Sequence, residues 1–168
     1  MKDETRVPEF LKMLKELTSY HIEIGIFGED DGEVLMIANV NEFGIQIEVT
    51  QKMRNYLHAI GLHLKASTKH INIPERSFIR SAYDLNKNDF INKGEPLLIK
   101  VIALELPVKV FYNTLGEYIV GQVQDHLTSI RSPKNHPFTI EQKKSSNPLI
   151  DTGRLRDSIT HKVVRNNV

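Results

Sequence analysis

Near its C-terminal end the chain reads Pro-Leu-Ile-Asp-Thr-Gly-Arg-Leu, residues 148–155. An Asp-Thr-Gly triplet entered from apolar residues is how a retroviral-type aspartic protease presents its catalytic carboxylate. In such a site a second chain supplies a matching carboxylate, and the two share a proton. Two features of this sequence speak against that chemistry. The catalytic loop is crowded and normally takes a small residue after the glycine, where this chain has Arg154. Several further strands must also follow the triplet to shape the site, whereas fifteen residues follow Gly153. A local role fits better. Asp151 and Thr152 can cap the free N–H groups of a short helix that carries Leu155 and Ile159 inward at i, i+4. Gly153 then permits tight packing or an unusual backbone angle. An aspartic-protease-like dimer using Asp151 stands as the enzymatic alternative.

Other reactive residue types form no recognisable constellation. His58 and His63 are five apart, which does not place them on one helical face, and there is no His-Glu-x-x-His. His21, His70, His126, His136 and His161 are scattered. The glycines of Gly-Ile-Phe-Gly and Asn-Lys-Gly-Glu-Pro lack the continuation of a nucleotide-binding loop, and no context singles out a Ser-His-Asp set. The chain has no cysteine, which removes disulfides, thiolate metal sites and a cysteine nucleophile, and fits a reducing compartment. The residues taken alone therefore give no support for catalysis.

The elements that must position these residues follow from periodicity. Phe10, Leu11, Leu14 and Leu17 recur at helical spacing, predicting an amphipathic helix over 7–18 with Pro8 in its first turn. Ile22, Ile24 and Ile26 alternate with polar or small residues as in a strand with one buried face. Residues 34–44 look helical and stop at Gly44, and 45–50 alternate again as a second strand. Residues 51–73 begin as a helix and continue as an exposed hairpin or extended arm. Pro74 sits where a helix carrying Phe78, Ile79 and Ala82 could begin. Pro107 divides the following apolar run into a short helix near 97–105 and a longer one near 107–129. Gly116 and Gly121 in the longer piece weaken it or admit close approach of another element. Residues 131–148 read as a loop, and the end as a turn, a short helix and a strand-like tail. The fold class is α+β in one domain of 168 residues: a small, mainly antiparallel sheet packed against three to four helices, with the arm projecting.

Charge is graded along the chain. The formal net charge of +1 divides into −7 over residues 1–50, +3 over 51–130 and +5 over 131–168. Such a molecule suits head-to-tail contact with copies of itself or unlike partners. Nucleic-acid binding is weakly supported, because the basic residues are spread out and not interleaved with aromatics. The first residues show no signal-peptide pattern and no stretch is long and apolar enough to span a bilayer, so the expectation is a soluble intracellular protein.

Four stretches, taken in order, resemble the tailed-bacteriophage virion morphogenesis proteins, the group containing Mu-like tail-completion and head–tail joining (neck) components. They are His-Ile-Glu-Ile-Gly-Ile-Phe-Gly at 21–28, Ile-Ala-Asn-Val-Asn-Glu-Phe-Gly at 37–44, Ile-Asn-Ile-Pro-Glu-Arg-Ser-Phe-Ile-Arg-Ser-Ala-Tyr-Asp at 71–84, and the closing run from Ser132 to Ile159. Together they span most of the chain from about residue 20 to 163; residues 51–70 and 93–110 match only in length and character. The resemblance implies a structural protein of the virion neck or tail, assembled in the host bacterial cytoplasm. It implies a homo-oligomeric ring, six-fold, and no cofactor or membrane. Neighbours would be neck, connector, tail-terminator or tail-tube proteins, with DNA passing transiently through the ring. A minor tail or tail-tube component is the runner-up, and a small regulatory or toxin-like prophage protein a further alternative.

The matched positions nominate residues. Arg76 and Phe78 serve either to fix the helix start or as interface. Asn135, Pro137 and Thr139 lie on a loop that could make an assembly contact. Asp151, Thr152, Gly153 and Leu155 read as fold-defining, while Arg154 and Arg156 point away from Leu155 as interface candidates, with DNA phosphates as their partner if the ring lines a passage. Acidic 29–33 meeting a basic patch from 131–144, including Lys143 and Lys144, or from 154–165, is the expected contact between subunits in a closed head-to-tail ring.

Overall fold

A pair of long antiparallel helices forms the spine on which everything else is hung. The computed structural model describes residues 5–27 and 31–166. In chain order the elements are α1 (Val7–Leu17), β1 (Tyr20–Gly25), α2 (Gly32–Phe43), β2 (Ile45–Glu48), α3 (Gln51–Ala59), β3 (His70–Ile73), α4 (Ile79–Ile102), α5 (Val108–Ser129), α6 (Pro137–Lys143), α7 (Arg154–Asp157) and β4 (Thr160–Arg165). The class is α+β. The strands form two separate antiparallel ribbons, β1 with β4 and β2 with β3, where a single small sheet was expected. β1 takes its partner from the far end of the chain, with Tyr20 opposite Arg165 and Gly25 opposite Thr160. That pairing leaves β2 and β3 to close on each other, Ile45 opposite Ile73 and Glu48 opposite His70.

Two apolar clusters lie at opposite ends of the α4–α5 spine. The first gathers Val34 and Ala38 of α2, Phe78 and Ala82 at the start of α4, Val123 and Leu127 of α5, and Leu149, Leu155 and Ile159. The second gathers Met13 of α1, Val101 at the end of α4, and Val108 and Phe111 at the start of α5. α4 has 24 residues, so the two ends are separated by roughly 36 Å at 1.5 Å per residue. Gly116 lets β4 close on α5: a Cβ there would stand 2.4 Å from the His161 ring. Gly121 faces open space, so only one of the two glycines is there for close approach.

Several boundaries differ from expectation for identifiable reasons. α4 begins at Ile79, five residues after Pro74, because its N-terminal cap comes from another helix. It also runs through Pro96, so the expected short helix near 97–105 is its last part. Proline there removes one backbone donor, yet α4 continues through it, packed on α5 where Gly94 faces Leu115. The 131–148 loop contains α6, started by Pro137 and ended by left-handed Lys144 at φ 54°. In α1 the buried residue is Met13; Val7, Phe10, Leu11 and Leu14 form an outward stripe. No helix among the described residues is long and apolar enough to cross a membrane.

The arm is a unit of its own. α3 is N-capped by Thr50, whose hydroxyl accepts from the Met53 amide at 3.2 Å. Arg54 folds residues 60–69 back by donating to the carbonyls of Lys65 at 2.9 Å and Thr68 at 2.7 Å. α3 buries no residue, and Tyr56 and Ile60 stand exposed.

Candidate functional site

Glu42 is the centre of the site, and its position in the last turn of α2 is at first sight unfavourable. A carboxylate there faces the negative end of its own helix dipole. Gly44, at φ 68°, turns the chain so tightly that a Cβ would meet the Glu75 amide nitrogen at 2.8 Å. This brings Glu42 onto the N-terminus of α4, whose own cap position, Phe78, offers no side-chain acceptor. The Glu42 carboxylate accepts from the amides of Phe78 at 2.7 Å, Ile79 at 3.0 Å and Arg80 at 3.0 Å. It also accepts from the Ser77 hydroxyl at 2.9 Å and Arg80 Nε at 3.1 Å. Burial favours its neutral form, but the three amides outweigh this and hold its pKa below the usual carboxylate value. One buried carboxylate thus takes three of the free donors of a 24-residue helix, and the Ser77 hydroxyl accepts the next, from the Ser81 amide at 3.3 Å.

Arg76 extends the network to the C-terminal third. It is 5% exposed and makes no ion pair among the described residues; its bonds go to neutral oxygens. Nε donates to the Pro133 carbonyl at 2.7 Å, Nη2 to Asn135 Oδ1 at 3.0 Å and the Lys134 carbonyl at 3.3 Å, and Nη1 to Asn41 Oδ1 at 3.3 Å. Burial lowers its pKa, although a guanidinium remains charged. Asn135 passes the connection on, donating to the Pro148 carbonyl at 3.0 Å. Asn147 then shapes the turn into residues 148–155, accepting from the amides of Leu149 and Ile150 and donating to the Thr128 carbonyl. The stretches around Glu42, Arg76, Asn135 and Asp151, remote in sequence, converge here.

Beside this hub lies a cleft of about 280 Å³ whose polar lining includes Glu33, Asn41, Lys143, Asp151 and Arg154. Arg154 is engaged within its own chain: it donates to Asp31 at 2.5 Å and Glu33 at 3.5 Å. Asp31 is in turn the N-cap of α2, accepting from the Val34 amide; that bond first, and Arg154 second, hold its pKa down. The acidic segment and the basic one therefore do meet, but inside one chain, which removes Arg154 as a free interface residue. Glu29 and Asp30 lie outside the described residues. Lys143 is also turned inward, donating to the carbonyls of Asn147 at 3.2 Å and Pro148 at 3.1 Å, and burial lowers its pKa. Lys144 is exposed, Thr139 half-buried on α6, and Arg156 exposed and paired with its neighbour Asp157.

The Asp-Thr-Gly triplet departs in part from its expected role. Gly153, at φ 92°, is itself the cap residue of α7, and only Thr152 approaches as a cap, its hydroxyl 3.5 Å from the Arg154 amide. Asp151 is exposed and makes no capping bond. Leu155 and Ile159 do go to the core, although α7 ends before Ile159. Phe78 is fully buried.

Of the reactive pairs, Ser81 Oγ lies 2.7 Å from His126 Nε2. The same hydroxyl also donates to the Ser77 carbonyl, and neither residue lines any of the clefts described. Burial lowers the pKa of His126. His58 and His63 do come together on the arm, Nδ1 to Nδ1 at 2.7 Å, because His63 follows the turn after α3 and not the helix itself. No group of three or more metal-ligating side chains occurs among the described residues. Glu42, Asn41 and Asn147 were not among the sequence candidates. A dipole-opposed glutamate directly before Phe-Gly was the available signal for the first.

No family model, no curated protein and no solved structure matches this chain.

Proposed function

We propose that this chain is a structural subunit of a tailed-bacteriophage virion, a ring-forming tail-completion or head–tail joining component without catalytic activity. The observation that carries the reading is the convergence of three of the four motif stretches on one polar hub. Glu42 caps the helix that follows Arg76, and Arg76 holds the loop that leads into Asp151. In this reading the motifs are one structural device that fixes where the arm leaves the spine. The engaged Arg154 and the internally bonded Lys143 serve the same architecture. A ring subunit needs such a rigid junction, because small errors in the angle between successive copies prevent closure.

The test is the mass of the purified chain across a concentration series by light scattering, with imaging of particles by negative-stain electron microscopy. Closed rings, six-fold by expectation, either alone or on adding portal, adaptor and tail-tube proteins of a tailed phage, support the proposal. A chain that stays monomeric alone and binds none of those proteins overturns it.

A further inference from the structure

The arm and the opposite end of the spine have complementary surfaces. Residues 49–74 contain Lys52, Arg54, Lys65 and Lys69 and not one Asp or Glu. Arg54 is occupied with the carbonyls of its own loop. Lys52, Lys65 and Lys69 are exposed and pair with no carboxylate among the described residues, and Tyr56 and Ile60, which follow Lys52 at i+4 and i+8, are 64% and 41% exposed. A unit of this kind carries an apolar patch framed by positive charge.

The matching negative frame lies where α1 crosses the α4–α5 turn. A groove of about 400 Å³ is floored there by Met13, Leu104, Leu106 and Val108 and rimmed by Glu9, Glu16 and Glu105, with Lys12 as the one cation in its lining. Among the described residues Glu16 and Glu105 make no ion pair, and Glu9 meets exposed Arg6 at 3.6 Å. The arm leaves the body at the N-terminal end of α4, through Pro74–Phe78, whereas the groove sits just beyond its C-terminal end. The roughly 36 Å between them keeps an arm from its own groove. The two surfaces can therefore meet only between copies, and the contact is heterologous, the kind that generates a ring or filament.

We propose that the arm of one copy docks into the α1/104–108 groove of the next, with Tyr56 and Ile60 on the apolar floor and Lys52, Lys65 and Lys69 against Glu9, Glu16 and Glu105. This rests on the ring-forming reading and names the surface that closes it.

The experiment is a charge swap in the full chain, read as self-association by sedimentation velocity. Lys52→Glu/Lys65→Glu/Lys69→Glu is expected to weaken association about tenfold or more, since like charges then face each other. Adding Glu9→Lys/Glu16→Lys/Glu105→Lys to the same chain restores it to within about threefold of wild type. Recovery cannot come from a misfolded protein, so it reports the contact itself. The absence of native cysteine allows a second readout: Asn55→Cys and Lys12→Cys chains, mixed and treated with a short bis-maleimide, give a heterodimer well above either chain alone. Wild-type oligomers that survive the arm reversal, or that yield no such heterodimer, overturn this surface while leaving the ring reading intact. A wild-type chain that does not self-associate, alone or with the phage neck proteins, overturns both. Loss of nucleic-acid retention on arm reversal with self-association unchanged assigns the arm to a nucleic acid and also overturns the proposal.

Discussion

At the scale of single residues the molecule depends on one buried carboxylate. Glu42 is 5% exposed and accepts five hydrogen bonds, three of them from the first turn of α4. Glu42→Gln keeps the shape but replaces one accepting oxygen with a donor that points at amide hydrogens. Removing a charged helix cap and leaving buried donors unsatisfied costs about 1–3 kcal/mol. The pH dependence has a defined sign. The folded pKa of Glu42 lies below the ordinary 4.5, so the stability it contributes is present above that value and is lost as pH falls through its folded pKa. Thermal denaturation between pH 3 and 6 should therefore show a steeper acid limb for wild type than for Glu42→Gln. Parallel limbs would remove Glu42 from the account. The sequence exposed this residue only indirectly. Periodicity identifies helices and apolar faces, but a cap delivered from 36 to 38 residues away has no local signature beyond the odd placement of an acid before Phe43-Gly44.

At the scale of elements, what could be read from sequence was whatever local spacing decides. β1, α2 and α5 follow from alternation, helical period and the prolines or glycines that bound them. What could not be read was decided by tertiary contact: the passage of α4 through Pro96, the formation of α6 within a proline-rich stretch, and the division of the strands into two ribbons. The two glycines of α5 show the limit well. They are indistinguishable in sequence, yet a side chain at Gly116 collides with His161 and one at Gly121 meets nothing within 4 Å. Gly116→Ala should cost about 1–3 kcal/mol by overpacking. Gly121→Ala should be neutral or stabilising by up to about 1 kcal/mol, through helix propensity alone. Urea denaturation separates the two, and adding His161→Ala to Gly116→Ala should recover part of the loss, because the residues are coupled by direct contact. Equal effects at the two glycines would refute the close approach of β4 to α5.

At the scale of the whole molecule the body and the arm answer to different constraints. Both apolar clusters lie along the α4–α5 spine, and α3 adds no buried residue to either. Stability should therefore reside in the body, with the arm adding little to it. The register of the β2–β3 ribbon makes this separable: Glu48 faces His70, and the next pair is closed by the Val49 amide donating to the Lys69 carbonyl at 2.8 Å. Replacing residues 50–68 by Asn-Gly joins that pair through a two-residue turn suited to the twist of an antiparallel ribbon. The shortened chain should unfold cooperatively within about 3 °C of the parent monomer, a difference under about 1 kcal/mol for a domain of this size. It should fail to self-associate where the parent does. A large drop in melting temperature would mean that the arm braces the body after all, and the charge framing its exposed Tyr56 and Ile60 would then belong to folding instead of assembly.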